Sequence, residues 1–306
     1  MYSYYTTTYN GRTVHIIKAK SDSTHDVQVS VVANRYDEAP LKKLASDFHD
    51  YSLEGQGFSR IGVINAGLFF TSGSFVYTNG IEKVGWDLHE NDDGGLDGVM
   101  SMAHYGGDSN LPLIQLQSIS KSYINDYRGA ITGAFGLIRN GNNDQGNTSL
   151  LGAYGSYSGR SIVAVGWDND IYFISVYGVS GNSSQGMTGA QCLDLVKNVL
   201  GLKDAIAMDG GGSVSLIYEG YWKVSTTRPI KSVVCLYVKQ KSTGGGTGGG
   251  ETPVFIEAKD NGYMPVFKKQ IPHKIMHNGQ LCPIKEILVM KNGILVPIDE
   301  LRKGSA

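Results

Sequence analysis

Apolar and polar positions alternate along RTVHIIKA (residues 12–19) and DVQVSVVA (residues 26–33), the two-residue period of half-buried strands. The turn-like SDSTH between them predicts that the two pair as a hairpin. Pro40, Leu41, Leu44, Ala45 and Phe48 then follow helical spacing, with proline in its tolerated first turn, which predicts a short amphipathic helix over residues 40–50. Ile61 to Ile64 reads as the next strand and delivers Asn65 to its end. From Thr71 to Arg128 periodicity is lost and Gly, Asp, Asn and Ser are frequent, so this stretch reads as an irregular insertion of the kind that rims or covers a pocket. Strand character returns at Gly133–Arg139 and at Ile162–Val176, where IVAVGW and IYFISV flank the turn DND and Arg160 leads in. Thr188 and Gln191 match a capping box; Cys192, Leu195, Val196 and Val199 share one helical face, and Gly201 is placed to end the helix. A second hairpin is expected with Glu219-Gly220 at its tip.

The pattern changes character at STGGGTGGGETP, residues 242–253, a flexible linker by composition. Beyond it NGQLCPI (Asn278–Ile284) recurs as NGILVPI (Asn292–Ile298), and Asn-Gly between apolar β-formers is a strong hairpin signal. The division is therefore residues 1–241, a linker at 242–253, and a small β tail at 254–306. The fold class is α+β: a largely β domain with a few covering helices, followed by a small all-β unit. Limited proteolysis is expected to cut between Ser242 and Glu251, because a glycine linker supplies no apolar side chains to dock the two parts. A linker that resists protease, or a 1–241 fragment that unfolds, contradicts this division.

With 306 residues, 41% hydrophobic and 18% charged, the chain is long enough to bury a full core. A net charge of −1 gives no basic footprint for nucleic acid, and no apolar run is long enough to span a bilayer. MYSYYTTTYNGRT lacks the order of a secretory signal, so a signal is either not needed or has been removed. Cys192, Cys235 and Cys282 are odd in number and widely spaced, which argues against a disulfide framework and leaves them as buried small hydrophobes. The seven histidines show no paired metal spacing, and no cofactor is expected. ENDDGGLDG (Glu90–Gly98) has oxygen ligands that calcium could use but not the EF-hand spacing, and reads as a solvated loop.

Chemistry concentrates in AIAMDGGGSVSLIY, Ala205–Tyr218. An apolar run ends in Asp209, Gly210, Gly211, Gly212 and Ser213 and then resumes, which suggests two strands joined by a tight turn. Bare glycine backbone lets successive N–H groups converge on an anion, so a phosphate-bearing ligand suits it. The alternative is an ordinary glycine-rich turn with a solvated aspartate.

Three further stretches bear on that choice: INAGLFF (Ile64–Phe70), GRS (Gly159–Ser161), and Arg228-Pro229 before KSVVCLYV. In this order, with GMTGAQCLDLVKNVLG directly before the glycine-rich turn, residues 10–239 resemble the phosphodiester glycosidase family. Ala207 stands where the family has Asn, Leu68 replaces an aromatic, and Tyr177-Gly178 replaces Asp-Gly. The resemblance implies hydrolysis of a sugar 1-phosphodiester. Asp209 would be the carboxylate at the oxocarbenium-like centre; Arg160 and the N–H groups of Gly210, Gly211, Gly212 and Ser213 would hold the leaving phosphate. Arg228 would be a second cation, and Asn65 would orient sugar hydroxyls or water. Each has a plainer alternative: Arg160 a surface strand cation, Arg228 a loop cap before Pro229, Asn65 a turn former through its side-chain amide.

The tail resembles the repeated NG-turn segments near the ends of bacteriophage tail proteins. This implies a virion or extracellular location, a bacterial cell-wall or capsular polymer as the phosphorylated glycan, and other tail proteins as partners. A second reading, from another class, is a carbohydrate-binding or structural virion module that keeps the fold without turnover. Ala207 and Tyr177 favour it; Asp209, Arg160 and Gly210–Gly212 oppose it.

Overall fold

Ile162, Val163, Ala164 and Val165 are apolar without interruption because both faces of their strand are buried: Ile162 and Ala164 point into one core, Val163 and Val165 into another. The computed structural model describes residues 1–35, 40–73, 75–78, 81–84, 87–90, 101–104, 114–117, 127–144, 154–225 and 228–241, and in the tail 274–277, 280–283, 288–291 and 294–297. Two compact units result, Met1–Pro253 and Val254–Ala306.

The first unit is built on a seven-stranded sheet in the order Tyr2–Tyr9, Arg12–Ala19, Ile171–Val176, Arg160–Val165, Asp204–Ala207, Phe135–Arg139, Asn142–Asn143. A five-stranded sheet runs Tyr221–Val224, Leu216–Tyr218, Ser59–Asn65, Ser232–Gln240, His25–Ala33. Ile17, Val163, Phe173 and Ile206 from the first sheet meet Val29, Ile64, Leu216, Val234 and Leu236 from the second in one apolar core. The outer face of the seven-stranded sheet is closed by the helix Gly189–Asp194 and the π-helical turn Leu195–Val199, whose Cys192, Leu195 and Val196 pack on Ile16, Ile162 and Ile174. The outer face of the five-stranded sheet is closed by Ala45, Phe48 and Leu53 over Val63, Cys235 and Tyr237. Layers therefore stack helix, sheet, sheet, short helical segments. All described strand pairs are antiparallel.

Five expectations are corrected. Arg12–Ala19 and His25–Ala33 do not form a hairpin: the first pairs with Tyr2–Tyr9 and Ile171–Val176, the second with Ser232–Gln240, so the chain changes sheet between them. No helix covers residues 40–50. The Asp47 carboxylate accepts the Leu44 N–H and closes a single 3-10 turn, Ala45–Asp47, after which Asp50 caps a separate helix, Tyr51–Gly55. The stretch 71–128 is not merely irregular, since Phe75–Thr78, Ile81–Val84, Asp87–Glu90, Ser101–His104 and Gln115–Gln117 are strands, too short to show a period. Val199 leaves the apolar face and is 52% exposed, because the π turn, closed by Leu200 N–H on the Leu195 carbonyl, adds a residue to the helical repeat. The strands on either side of the glycine-rich run lie in different sheets, so the run is a crossover and not a tight turn between neighbours.

Other features stand as read. The Thr188–Gln191 capping box is reciprocal, at 3.1 and 3.2 Å, and Cys192 and Cys235 are free and fully buried. Burial pushes both thiols up to about 12, so they stay neutral. In the tail unit Lys274–His277 pairs with Gln280–Pro283 and Leu288–Lys291 with Ile294–Pro297. The glycine linker and the Asn-Gly pairs lie outside the described residues, as does Glu90–Gly98 apart from the backbone of Glu90.

Candidate active site

The crossover from Ala207 to Leu216 carries Asp209 from one sheet toward the other, and both sheets grip it. Asp209 N–H donates to the Ala66 carbonyl at 2.9 Å, and the Asp209 carbonyl accepts Asn65 Nδ2 at 2.7 Å. Asn65 is 1% exposed, and its Oδ1 accepts the Ser161 hydroxyl at 2.6 Å and the Ser215 N–H at 3.0 Å. A single side-chain amide thus ties the end of Ser59–Asn65 to the Arg160–Val165 strand and to both ends of the glycine-rich crossover. The amide braces Asp209; it is the turn-forming alternative for Asn65 that the geometry matches.

Gly211 takes φ +58° and donates its N–H to the Gly159 carbonyl at 3.0 Å. That φ is open to glycine and strained for other residues. Ser213 N–H donates to the Gly210 carbonyl at 3.2 Å, and Gly210 N–H helps hold the Asp209 charge. Of the four amides expected to converge on an anion, the exposed Gly212 N–H is the one left without a partner among the described residues. The Ser213 hydroxyl is buried beside the Asp209 carboxylate and stabilises its charge, yet completes no full hydrogen bond with any described residue.

Arg160 is 4% exposed, which removes the surface-cation alternative. Its Nε donates to the Met187 carbonyl at 2.8 Å, and Nη2 donates to the Ser156 carbonyl at 2.8 Å and the Tyr154 carbonyl at 3.2 Å. Among the described residues Nη1 alone has no partner, and it lies against Gly210, 3.4 Å from where a side chain on that glycine would begin. Arg228 also reaches the crossover: its guanidinium lies 5.1 Å from the Phe69 ring centroid, and its Cδ is 3.6 Å from the same point on Gly212. Every residue singled out from the sequence is therefore drawn to one crossover.

Burial raises the Asp209 carboxyl above the ordinary carboxylate range, opposed in turn by Ser213, the Arg228 charge and the Gly210 amide. A half-buried carboxylate whose charged form is disfavoured by burial, beside the Arg228 cation and an orphan hydroxyl, is the signature of a chemical site more than of a structural ion pair. Sequence reasoning missed Phe69, which stood inside INAGLFF without a role, and Tyr154, an aromatic in a run of small and polar residues.

The family profile described as phosphodiester glycosidase matches residues 58–237, more than half of the chain. The chain belongs to that family. The matched span includes Asn65, Arg160, Asp209 and Arg228. Among solved structures, the catalytic domain of zebrafish N-acetylglucosamine-1-phosphodiester alpha-N-acetylglucosaminidase, auto-inhibited by its pro-peptide, shares the fold: TM-score 0.55 at 17% identity, covering 77% of this chain and 81% of that one. A hypothetical protein from Synechocystis aligns with TM-score 0.47 at 12% identity over 78% of this chain and 62% of its own. No curated protein matches in sequence. Of this family member's departures, Ala207 is packed in the core beneath the helix, and Tyr177 is 53% exposed.

Proposed function

We propose that this protein hydrolyses the glycosidic bond of a sugar 1-phosphodiester. The observation that carries the reading is one half-buried carboxylate, Asp209, held by the Arg228 charge and the Gly210 amide on a glycine crossover against which Arg160 Nη1 also lies. An ordinary glycosidase needs a general acid as well as a second carboxylate. A phosphate monoester has a second pKa near 6, so it departs without full protonation, and one carboxylate with an anion site suffices. In this reading Asp209 faces the sugar C1, where positive charge develops. Arg228, Arg160 Nη1 and the Gly212 N–H face the phosphate, where negative charge is released. Asn65 acts through Asp209 and does not contact the sugar.

The polymer reading extends this. The NG-turn tail supports a virion or bacterial-surface setting, with a cell-wall or capsular polymer as substrate and the tail serving attachment. Ala207, packed in the core, and the loss of a carboxylate at Tyr177 are what favour a binding module.

Release of reducing sugar from an N-acetylglucosamine 1-phosphodiester tests the proposal directly. Turnover by the wild-type chain supports it; glycan binding without release from any sugar 1-phosphodiester replaces it with the binding-module reading.

A further inference from the structure

Tyr154 lies outside the stretches that carried the resemblance, and both its ring and its backbone are held at the site. Its ring stacks on Phe135, with centroids 4.3 Å apart and planes at 28°, and the Arg160 guanidinium lies 5.3 Å from its centroid. Its carbonyl accepts both Arg160 Nη2 and, at 2.8 Å, the N–H of Gly189 at the start of the covering helix. Ring and backbone are thus held by the same arginine. The hydroxyl, by contrast, donates to no described residue. A fixed, half-buried phenol and an arginine nitrogen, neither with a partner among the described residues, leave two open donor positions at the site.

We propose that the Tyr154 hydroxyl and Arg160 Nη1 form a two-donor subsite for a non-bridging oxygen of the substrate's phosphate. This rests on the sugar 1-phosphodiester reading and adds a substrate-contacting residue that the family motifs do not contain. The choice of phosphate over sugar follows from charge. The phenol can donate to either, but Arg160 is a cation with donors only, and a charged N–H finds its strongest partner in an anionic phosphate oxygen. Burial and the Asp209 charge both raise the Tyr154 pKa, so the phenol stays protonated across the working pH range and remains a donor. The stack on Phe135 fixes the O–H before ligand arrives, which limits the ordering cost of binding.

Tyr154→Phe removes the oxygen and keeps the stack and the overlying guanidinium. Calorimetric titration of the full-length chain with N-acetylglucosamine 1-phosphate is expected to show affinity about ten-fold or more weaker in the variant, as for loss of a hydrogen bond to a charged group. Affinity for unphosphorylated N-acetylglucosamine should be unchanged. Equal affinity of both proteins for the phosphorylated sugar overturns the subsite, as does an equal loss for both sugars or failure of the wild type to bind the phosphorylated one. A wild type that binds but does not turn over, with the affinity ratio intact, sinks the hydrolase reading and supports the subsite. Matching thermal melts of the two proteins exclude a folding defect.

Discussion

Asp209→Asn is expected to leave a folded protein whose turnover of a sugar 1-phosphodiester falls by roughly three orders of magnitude or more, the scale of removing an acid–base or nucleophilic group. The amide keeps the shape, the backbone bonds to Ala66 and Asn65, and the proximity of Ser213, and loses only the charge. Binding of N-acetylglucosamine 1-phosphate should survive if, as proposed, Arg228 and the Arg160 side of the crossover hold the phosphate. The same substitution should raise the melting temperature at neutral pH. Burial lifts the Asp209 pKa above its unfolded value, so between the two values the native state holds the proton more tightly and stability falls as pH rises through that window. Above the window the ionised carboxylate is a standing cost that the amide avoids. Below about pH 3.9, where the unfolded carboxylate is also protonated, the advantage disappears. Wild-type kcat should carry an acid limb displaced upward from the ordinary carboxylate range. A folded Asp209→Asn protein with near wild-type turnover removes Asp209 from the chemistry.

What the sequence reveals about this site is chemistry at fixed points; what it conceals is how those points are joined. Asp209, Asn65, Arg160 and Arg228 are visible because their residue types are costly to explain inside apolar strands, and each arrives at the crossover. The Ile162–Val176 hairpin and the Glu219-Gly220 tip are visible because turn chemistry is local: Asn169, Glu219 and Gly220 all take positive φ. Partner choice is not local. The period of Arg12–Ala19 marks a strand with a buried face, yet nothing in it distinguishes His25–Ala33 from Ile171–Val176 as its neighbour. Tyr2–Tyr9 is equally hidden, as an edge strand with half its positions open to solvent and tyrosines and threonines in place of an apolar stripe. Side-chain competition for backbone groups is also invisible to periodicity, and it is Asp47 and Asp50 that break the expected helix over 40–50. At the site the same limit applies to donors: composition suggests four converging amides, while the fold uses Gly211 and Ser213 to hold its own backbone.

Asn65→Ala should be the most damaging substitution outside the reacting groups, and its damage should fall on stability and kcat together. The side chain satisfies the Ser161 hydroxyl, the Ser215 N–H and the Asp209 carbonyl, and both Asn65 and Ser215 are 1% exposed. Truncation strands the Ser215 N–H and the Asp209 carbonyl at about 1–3 kcal/mol each, while the Ser161 hydroxyl can turn to Ser175 Oγ at 3.4 Å, so the loss should total roughly 3–5 kcal/mol once the vacated volume is included. The catalytic effect follows from the same bonds. With its carbonyl released, Asp209 keeps only the Ala66 contact on its backbone, and a carboxylate misplaced by an ångström costs about a hundred-fold in rate. Because Asn65 holds Asp209 and not the ligand, KM should move little while kcat falls. Asn65→Asp probes the donor: it still accepts from Ser161 and Ser215 but sets a buried charge against the Asp209 carbonyl, so it should be no more stable than Asn65→Ala and turn over no faster. Denaturant melts and steady-state kinetics on the three proteins decide the matter. An intact kcat with a raised KM would move Asn65 onto the substrate, and wild-type stability in Asn65→Ala would show that the crossover does not depend on this amide at all.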